Sequence, residues 1–496
     1  MELDLRICSQ ARLSRDARFD GRFFIGVKST RIYCRPICPV RTVKEENVRY
    51  FTTAAAAAES GYRPCLRCRP ESSPGTPAWF GTSTTVSRAL RLISEHVLDD
   101  GGVTALAERL GIGSRQLRRL FVQHLGASPT AVAKTLRLQF AKKLIDETEL
   151  PMAEVAFAAG FGSVRRFNAA FRKTYKRTPS KMRGLVRLDS TGAKEYLLRL
   201  PFRAPFQWNA LLAFLSRRAI PGVEVVESSC YRRTISLNGD SGTVCVALSK
   251  KGDLLEASIC FPEPRWLLLI VERLRQLFDL TADPVDVASC LSKDPMLNSL
   301  IETMPGLRVP GCWDGFELSV RAILGQQVSV ANANILAGRL VRTFGKPMNI
   351  APAPLTHLFP RSEVLANADV ACIGVPEARA ETIRSFARAV SDGRIDFRSA
   401  TSFEEFRSQL REVSGIGDWT AQYIAMRSLG DPDAFPAGDL GLLRAASLHG
   451  GRRLSQRAEA WRPWRAYAAM YLWQGDRRRD SQPSKDPVMA RRAVGT

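Results

Sequence analysis

The stretch "RIYCRPICPV", residues 31–40, places Cys34 and Cys38 four apart in a loop rich in Pro and Arg. "GYRPCLRC", residues 61–68, adds Cys65 and Cys68. Two close pairs of thiols on separate loops, about 26 residues apart, form the pattern that a tetrahedral four-cysteine zinc site needs. A redox pair would show a single Cys-x-x-Cys at the start of a helix in a βαβ setting, and none surrounds these residues. Spacing alone makes the zinc a structural clip for a small fold. Whether it is also a reactive site depends on the residues around it.

Outward from this loop, 496 residues are too many for one hydrophobic core and predict several domains. Lys and Arg number 72 against 49 Asp and Glu, a formal charge of +23. Such a balance points to a polyanionic partner, with double-stranded DNA the leading candidate. The N-terminus lacks the apolar stretch of a signal peptide, and the run "WLLLIV" (266–271) is too short to span a bilayer. A cytoplasmic protein with no membrane partner is expected. The other seven cysteines, such as Cys230, Cys245, Cys260 and Cys290, are scattered singly in apolar or strand-like surroundings and are expected in the core.

The residues flanking the clustered thiols, "DARFDGRFFIGVKSTRIYCRPICPVR" with Asn47, Phe51 and "GYRPCLRC", resemble the N-terminal domain of the Ada family of bacterial alkylation-response proteins over residues 1–75. The resemblance implies one Zn2+ per chain on Cys34, Cys38, Cys65 and Cys68. It also implies that Cys34 takes the methyl group irreversibly from a DNA methylphosphotriester, and that Thr30, Arg41 and Arg63 contact DNA. Zinc would keep Cys34 a thiolate at neutral pH. Four thiolates on Zn2+ sum to −2, and methylation of one leaves −1, so DNA would bind more tightly after repair.

A linker rich in Pro, Gly and Ser/Thr, "PESSPGTPAWFGTSTT" (70–85), precedes a helical pattern that repeats itself. Ala107, Gly111, Leu117, Phe121 and Pro129 recur as Ala156, Gly160, Phe167, Phe171 and Pro179. A small residue, a turn glycine and an apolar pair suit two helix-turn-helix units. Their second helices, opening at Ser114 and Ser163, carry Arg115, Arg118, Arg119, Arg165, Arg166, Arg172 and Lys173 as base- or phosphate-reading groups. Residues 85–184 resemble the paired helix-turn-helix domain of AraC-type regulators, with "AKTLRLQFAKKLI" as connecting helix. RNA polymerase is the further partner this implies.

From about residue 190 to 303, alternating strands ("YLLRLPF", "YRRTISLNGDSGTVCVALS", "LLEASICF") and two helical stretches predict a small α+β domain. Then "EVSGIGDWTAQYIAMRSL" sets Gly415-Ile416-Gly417 between two helical patterns. In such a hairpin the glycines let backbone N–H groups and a helix N-terminus face a phosphate. Asp439 follows in the loop "FPAGDLGLLRA". Together these resemble the helix-hairpin-helix base-excision glycosylases, most closely the AlkA type, over about 190–480.

That resemblance implies a TATA-box-like α+β domain and an all-α glycosylase domain at 304–480. It makes Asp439 the catalytic carboxylate, stabilising positive charge at C1′ and orienting water. Trp419, Tyr423 and Trp473 become the pocket for cationic alkylated purines, and Gln327 occupies the wedge position, where it is polar rather than leucine. The Schiff-base lysine of lyase-competent relatives is replaced by Trp419, which implies a monofunctional enzyme. Gly438 stands where the enterobacterial type has another acid. No Pro-Cys-His-Arg stretch marks an O6-alkylguanine methyltransferase.

The whole reads as a multidomain, mainly α fold with α+β parts: a zinc methyl-acceptor domain, a helix-turn-helix pair, and a glycosylase releasing 3-methyladenine and related bases. No organic cofactor is expected. The basic polar tail, 481–496, is expected to be disordered. A regulator with an inactive glycosylase half is the alternative, and a second is an enzyme whose helix-turn-helix pair only adds affinity.

Overall fold

The computed structural model describes residues 3–74, 84–94, 97–183, 195–348, 352–397 and 402–481. Near the N-terminus, Asp4 caps the helix Leu5–Ser14 by accepting from the Arg6 and Ile7 amides. A four-stranded sheet follows: β1 (Phe24–Val27), β2 (Ile32–Cys34), β3 (Val48–Phe51) and β4 (Arg63–Pro64), in the order β3-β1-β2-β4. β2 and β4 run parallel with Tyr33 opposite Pro64, and the Cys65 amide donates to the Tyr33 carbonyl at 2.9 Å. Cys34 and Cys65 therefore emerge side by side where the two strands end.

The duplicated helical pattern folds as the repeat predicts. Gly111 and Gly160 adopt positive φ at the two turns. The second helices, Ser114–Leu125 and Val164–Tyr175, bury Leu117, Phe121, Phe167 and Phe171 and leave their arginines exposed. Ser128 and Thr178, before Pro129 and Pro179, cap the next helices in the same way. The connecting helix Pro129–Glu147 gives its first half to one apolar cluster and its second half to another.

The zinc-type sheet domain grips the first helix-turn-helix. Glu59 accepts from the Ser128 amide and hydroxyl at 3.1 and 2.8 Å, and Thr53 Oγ1 donates to the Leu125 carbonyl at 2.7 Å. The start of the expected linker is not a free spacer. Pro70–Ser72 forms a turn of 3-10 helix, and the Glu71 side chain is buried beside Lys142 of the connecting helix. Residues 75–83 of that linker lie outside the described residues.

The second half opens with the antiparallel sheet β5 (Glu195–Pro201), β6 (Glu224–Glu227), β7 (Cys230–Leu237), β8 (Asp240–Leu248) and β9 (Leu254–Cys260), in the order β5-β9-β8-β7-β6. Its inward face alternates Tyr231, Val244, Val246, Ala257 and Ile259. The outward positions take Cys230, Cys245 and Cys260, so the expectation of core cysteines fails for these. Cys372 is exposed too, and Cys8 is the fully buried one of the seven. In a strand, period-two alternation decides exposure, and an apolar neighbourhood in sequence does not.

A buried ion network joins this sheet to the helices that follow. Arg233 pairs with Glu317 at 2.6 Å, Arg321 pairs with Glu224 at 3.0 Å, and Tyr231 donates to Glu224 at 2.5 Å. Glu317 and Arg321 lie on the helix Gly315–Leu324, so the network fixes the element that leads into Gln327. Helices continue to Arg465–Ser481, just past the expected start of the tail, whose residues 482–496 lie outside the described residues. Among the described residues no helix is long and apolar enough to cross a membrane.

Candidate functional site

The four predicted thiols converge: the sulfurs of Cys34, Cys38, Cys65 and Cys68 all lie within 4.8 Å of one another, and all are free of disulfides. A tetrahedral ion at metal–sulfur distances of about 2.3 Å requires sulfurs about 3.8 Å apart, so the set fits zinc. Cys34 keeps 9% of its surface, slightly more than Cys65 and Cys68, and Cys38 keeps more than any of them.

Sequence reasoning did not single out Arg35. Its amide reaches Cys68 Sγ at 3.4 Å, its guanidinium donates to the Cys68 carbonyl at 3.1 Å, and it is held by Asp20. Amide donation to a sulfur lowers the cost of its negative charge. Thr30 and Arg41 are exposed on this domain, while Arg63, in β4, is half-buried.

The second predicted centre assembles around Asp439, which caps the helix Leu440–Ala445 through the Leu442 amide at 3.0 Å. Trp473 Nε1 donates to its Oδ1 at 2.8 Å and Trp419 Nε1 to its Oδ2 at 3.1 Å. The carboxylate is thus pinned by three N–H groups while remaining partly exposed. Tyr423 stacks on Trp419 with centroids 5.4 Å apart and an interplanar angle of 6°, and meets Trp473 edge-on at 6.4 Å. The helix pair Trp419 and Tyr423 thus meets Asp439 and Trp473 from two segments further along the chain.

The hairpin leads into the helix Asp418–Ile424, which carries both Trp419 and Tyr423. Gly415 has φ +88°, and a Cβ there would sit 2.2 Å from Thr382 Oγ1, so any side chain would be strained and would force Thr382 to shift. Gly417 opens the helix in free space. Gln327 is exposed with φ 56° at the tip of the turn between Gly315–Leu324 and Val330–Phe344. Its neighbour Gln326, missed in the sequence, ties that turn to the hairpin: Nε2 donates to the Gly415 carbonyl at 2.9 Å and to Thr420 Oγ1 at 3.1 Å. Arg427 was missed as well, although its i+4 spacing from Tyr423 was a usable signal; it donates to Tyr423 Oη at 2.8 Å.

Comparison with known proteins accounts for this layout segment by segment. Residues 7–71 match the metal binding domain of Ada, 106–184 a helix-turn-helix domain, 197–314 the AlkA N-terminal domain, and 320–463 the HhH-GPD superfamily of base excision DNA repair proteins. The chain is 32% identical over 55% of its length to DNA-3-methyladenine glycosylase 2 of Escherichia coli, covering 95% of that protein. Its second half shares the fold of the 3-methyladenine DNA-glycosylase from Archaeoglobus fulgidus, with a TM-score of 0.50 and 24% identity over 56% of this chain and 98% of that one. A probable bifunctional transcriptional activator/DNA repair enzyme AlkA of Mycobacterium tuberculosis is 43% identical over 95% of this chain and 97% of its own. With such agreement along both lengths, the protein belongs to the family of bifunctional transcriptional activator/DNA repair proteins in which an Ada-type metal-binding domain and a helix-turn-helix domain precede an AlkA-type glycosylase domain.

Proposed function

We propose that the chain senses and repairs DNA alkylation: it accepts a methyl group from DNA methylphosphotriesters on Cys34, activates transcription more strongly once methylated, and hydrolyses alkylated bases such as 3-methyladenine from duplex DNA. We assign these roles to 1–75, 85–184 and the pair 190–303 and 304–480. The observation that carries the reading is Asp439, a partly exposed carboxylate held by two indole N–H groups at the edge of an aromatic pocket.

In the glycosylase half, the aromatic faces of Trp419, Tyr423 and Trp473 receive the flipped, positively charged base. Asp439 stabilises the positive charge that builds at C1′ as the bond electrons pass to the base, and it takes a proton from the attacking water. With Trp419 where a lyase keeps lysine, the strand is left uncut. The turn carrying Gln327 enters the vacated stack, and Gly415 and Gly417 seat the strand's phosphate.

In the N-terminal half, Cys34, Cys38, Cys65 and Cys68 would hold one zinc ion, which would keep the sulfurs as thiolates at neutral pH. The Cys34 sulfur attacks the methyl carbon, the C–O bond breaks, and the phosphodiester leaves with its negative charge restored. The centre loses one negative charge, and Thr30, Arg41 and Arg63 then hold backbone phosphates against less repulsion. Arg115, Arg118, Arg165 and Arg166 read promoter DNA, with RNA polymerase as the partner and the nucleoid as the place of action.

The test is chromatographic detection of free 3-methyladenine released from methylated duplex DNA by the full-length protein. Release with the strand left intact is expected. Intact DNA binding without release would favour a regulator built on an inactive enzyme.

A further inference from the structure

One phenol in the aromatic pocket is surrounded by donors only. Tyr423 Oη accepts from Arg427 Nη1 at 2.8 Å. Arg427 has no latitude to leave: it is 4% exposed, and its Nε and Nη2 donate to the carbonyls of Pro310 and Gly311, each at 2.8 Å. A guanidinium cannot accept a hydrogen bond, so the phenolic proton has no place on that side. Among the described residues no acceptor lies within reach of it elsewhere.

The charges around the ring agree in sign. Arg427 faces the hydroxyl from the ring's own helical segment, and Arg218, seated 3.8 Å over the Phe214 ring, faces it from the turn after Trp208–Ser216. Arg321 adds to the field from Gly315–Leu324. The buried acids Glu224 and Glu317 pair with Arg321 and Arg233, so Arg321 divides its charge between them and the phenol, and Arg427 and Arg218 weigh most on the hydroxyl. Asp439 sits across the two indoles at the other edge of the pocket. Burial raises the phenol's pKa, and the three arginines more than reverse that, bringing it to about 8.

We propose that Tyr423 serves as a phenolate, the pocket's built-in counter-ion for positively charged bases, and so sets the preference for cationic over neutral lesions. This deepens the glycosylase reading above and rests on it. An N3-alkylated adenine carries its positive charge in the ring that stacks here and meets a negative partner. A neutral lesion such as hypoxanthine gains only the stacking. When the C1′–N bond breaks, its electron pair neutralises the departing purine, so the attraction ends as product forms. The phenolate therefore acts on capture, in KM, and its contribution grows with pH as the proton leaves.

The test compares release of 3-methyladenine from freshly methylated duplex and of hypoxanthine from a defined duplex, between pH 6.5 and 8.5, by the full-length protein and Tyr423→Phe. The same proteins are titrated by tyrosinate absorbance at 295 nm. The ratio of kcat/KM for the two bases is expected to rise about tenfold across this range in the unmodified protein, through KM. Tyr423→Phe should give a flat ratio and lose one tyrosine that titrates near neutral pH. A flat ratio in the unmodified protein, an equal rise in Tyr423→Phe, or no such titrating tyrosine overturns the proposal while leaving a glycosylase. Absence of release of either base by the unmodified protein overturns the glycosylase reading and this one with it.

Discussion

Replacing Asp439 with Asn separates charge from shape in the proposed active site. The oxygen of Asn can stay at the Oδ1 position, where it keeps the bonds from Trp473 Nε1 and the Leu442 amide. The amide nitrogen then falls where Oδ2 accepted from Trp419 Nε1, setting two donors against each other. That local conflict costs about 1–3 kcal/mol, partly relieved if the indole tilts toward water. The lost charge weighs more: a carboxylate about 4 Å from a developing cation, at an effective dielectric of about 20, contributes about 4 kcal/mol, or about 1000-fold in rate. Single-turnover release of 3-methyladenine from methylated duplex, with protein in excess, isolates the chemical step. A fall of about 1000-fold with duplex affinity within a factor of three is expected. A fall of less than tenfold would refute the assignment of charge stabilisation to this carboxylate.

Gly415→Ala should destabilise the full chain by about 1–2 kcal/mol through its left-handed backbone and by about 1–3 kcal/mol through the clash with Thr382; adding Thr382→Ala should recover the second part alone in urea unfolding. After exposure to methylphosphotriester DNA, peptide mass mapping should place the methyl group on Cys34; its appearance on the more exposed Cys38 would reassign the acceptor. A strong chelator should release one zinc per chain, measured by atomic absorption, and abolish methyl uptake. Burial raises the Asp279 carboxyl to about 6, so its folded form binds protons more tightly than the unfolded chain. Its contribution is complete below pH about 4 and is lost as pH rises through 6, about 3 kcal/mol in all. Asp279→Asn keeps an oxygen where Oδ2 accepts from the Val309 amide and Tyr467 Oη, and should flatten that slope in unfolding measured from pH 4 to 7.

Local patterns in the sequence foretold much of this structure. Cys spacing foretold the cluster of four thiols because two short loops suffice to present it. The repeated small residue, turn glycine and apolar pair gave both helix-turn-helix units. Trp419, Tyr423, Asp439 and Trp473 were legible through resemblance, and only the fold shows that two indoles hold the carboxylate. What escaped was long-range complementarity. Arg427 is committed to the Pro310 and Gly311 carbonyls more than a hundred residues away, and Gln326 to the Gly415 carbonyl. The outward cysteines were misjudged because which face of a strand is covered depends on elements distant in sequence.

The apolar cluster that begins at Leu138 in the connecting helix continues without interruption through Phe167 and Phe171 into the five-stranded sheet and on to Tyr471. Lys143 also bonds the Arg199 carbonyl, and the Arg199 amide bonds Glu147. The interior therefore has no seam between the helix-turn-helix segment and the AlkA-type segment that follows it. A gene cut near residue 190 would strand half of a shared interior on each product, so the regulator and the enzyme can no longer be traded as separate cassettes. Even the first helix-turn-helix, which keeps an apolar core apart from that interior, belongs to no free cassette, because Arg22 of the sheet domain before it pairs with Asp283 and Asp286, each at 2.5 Å.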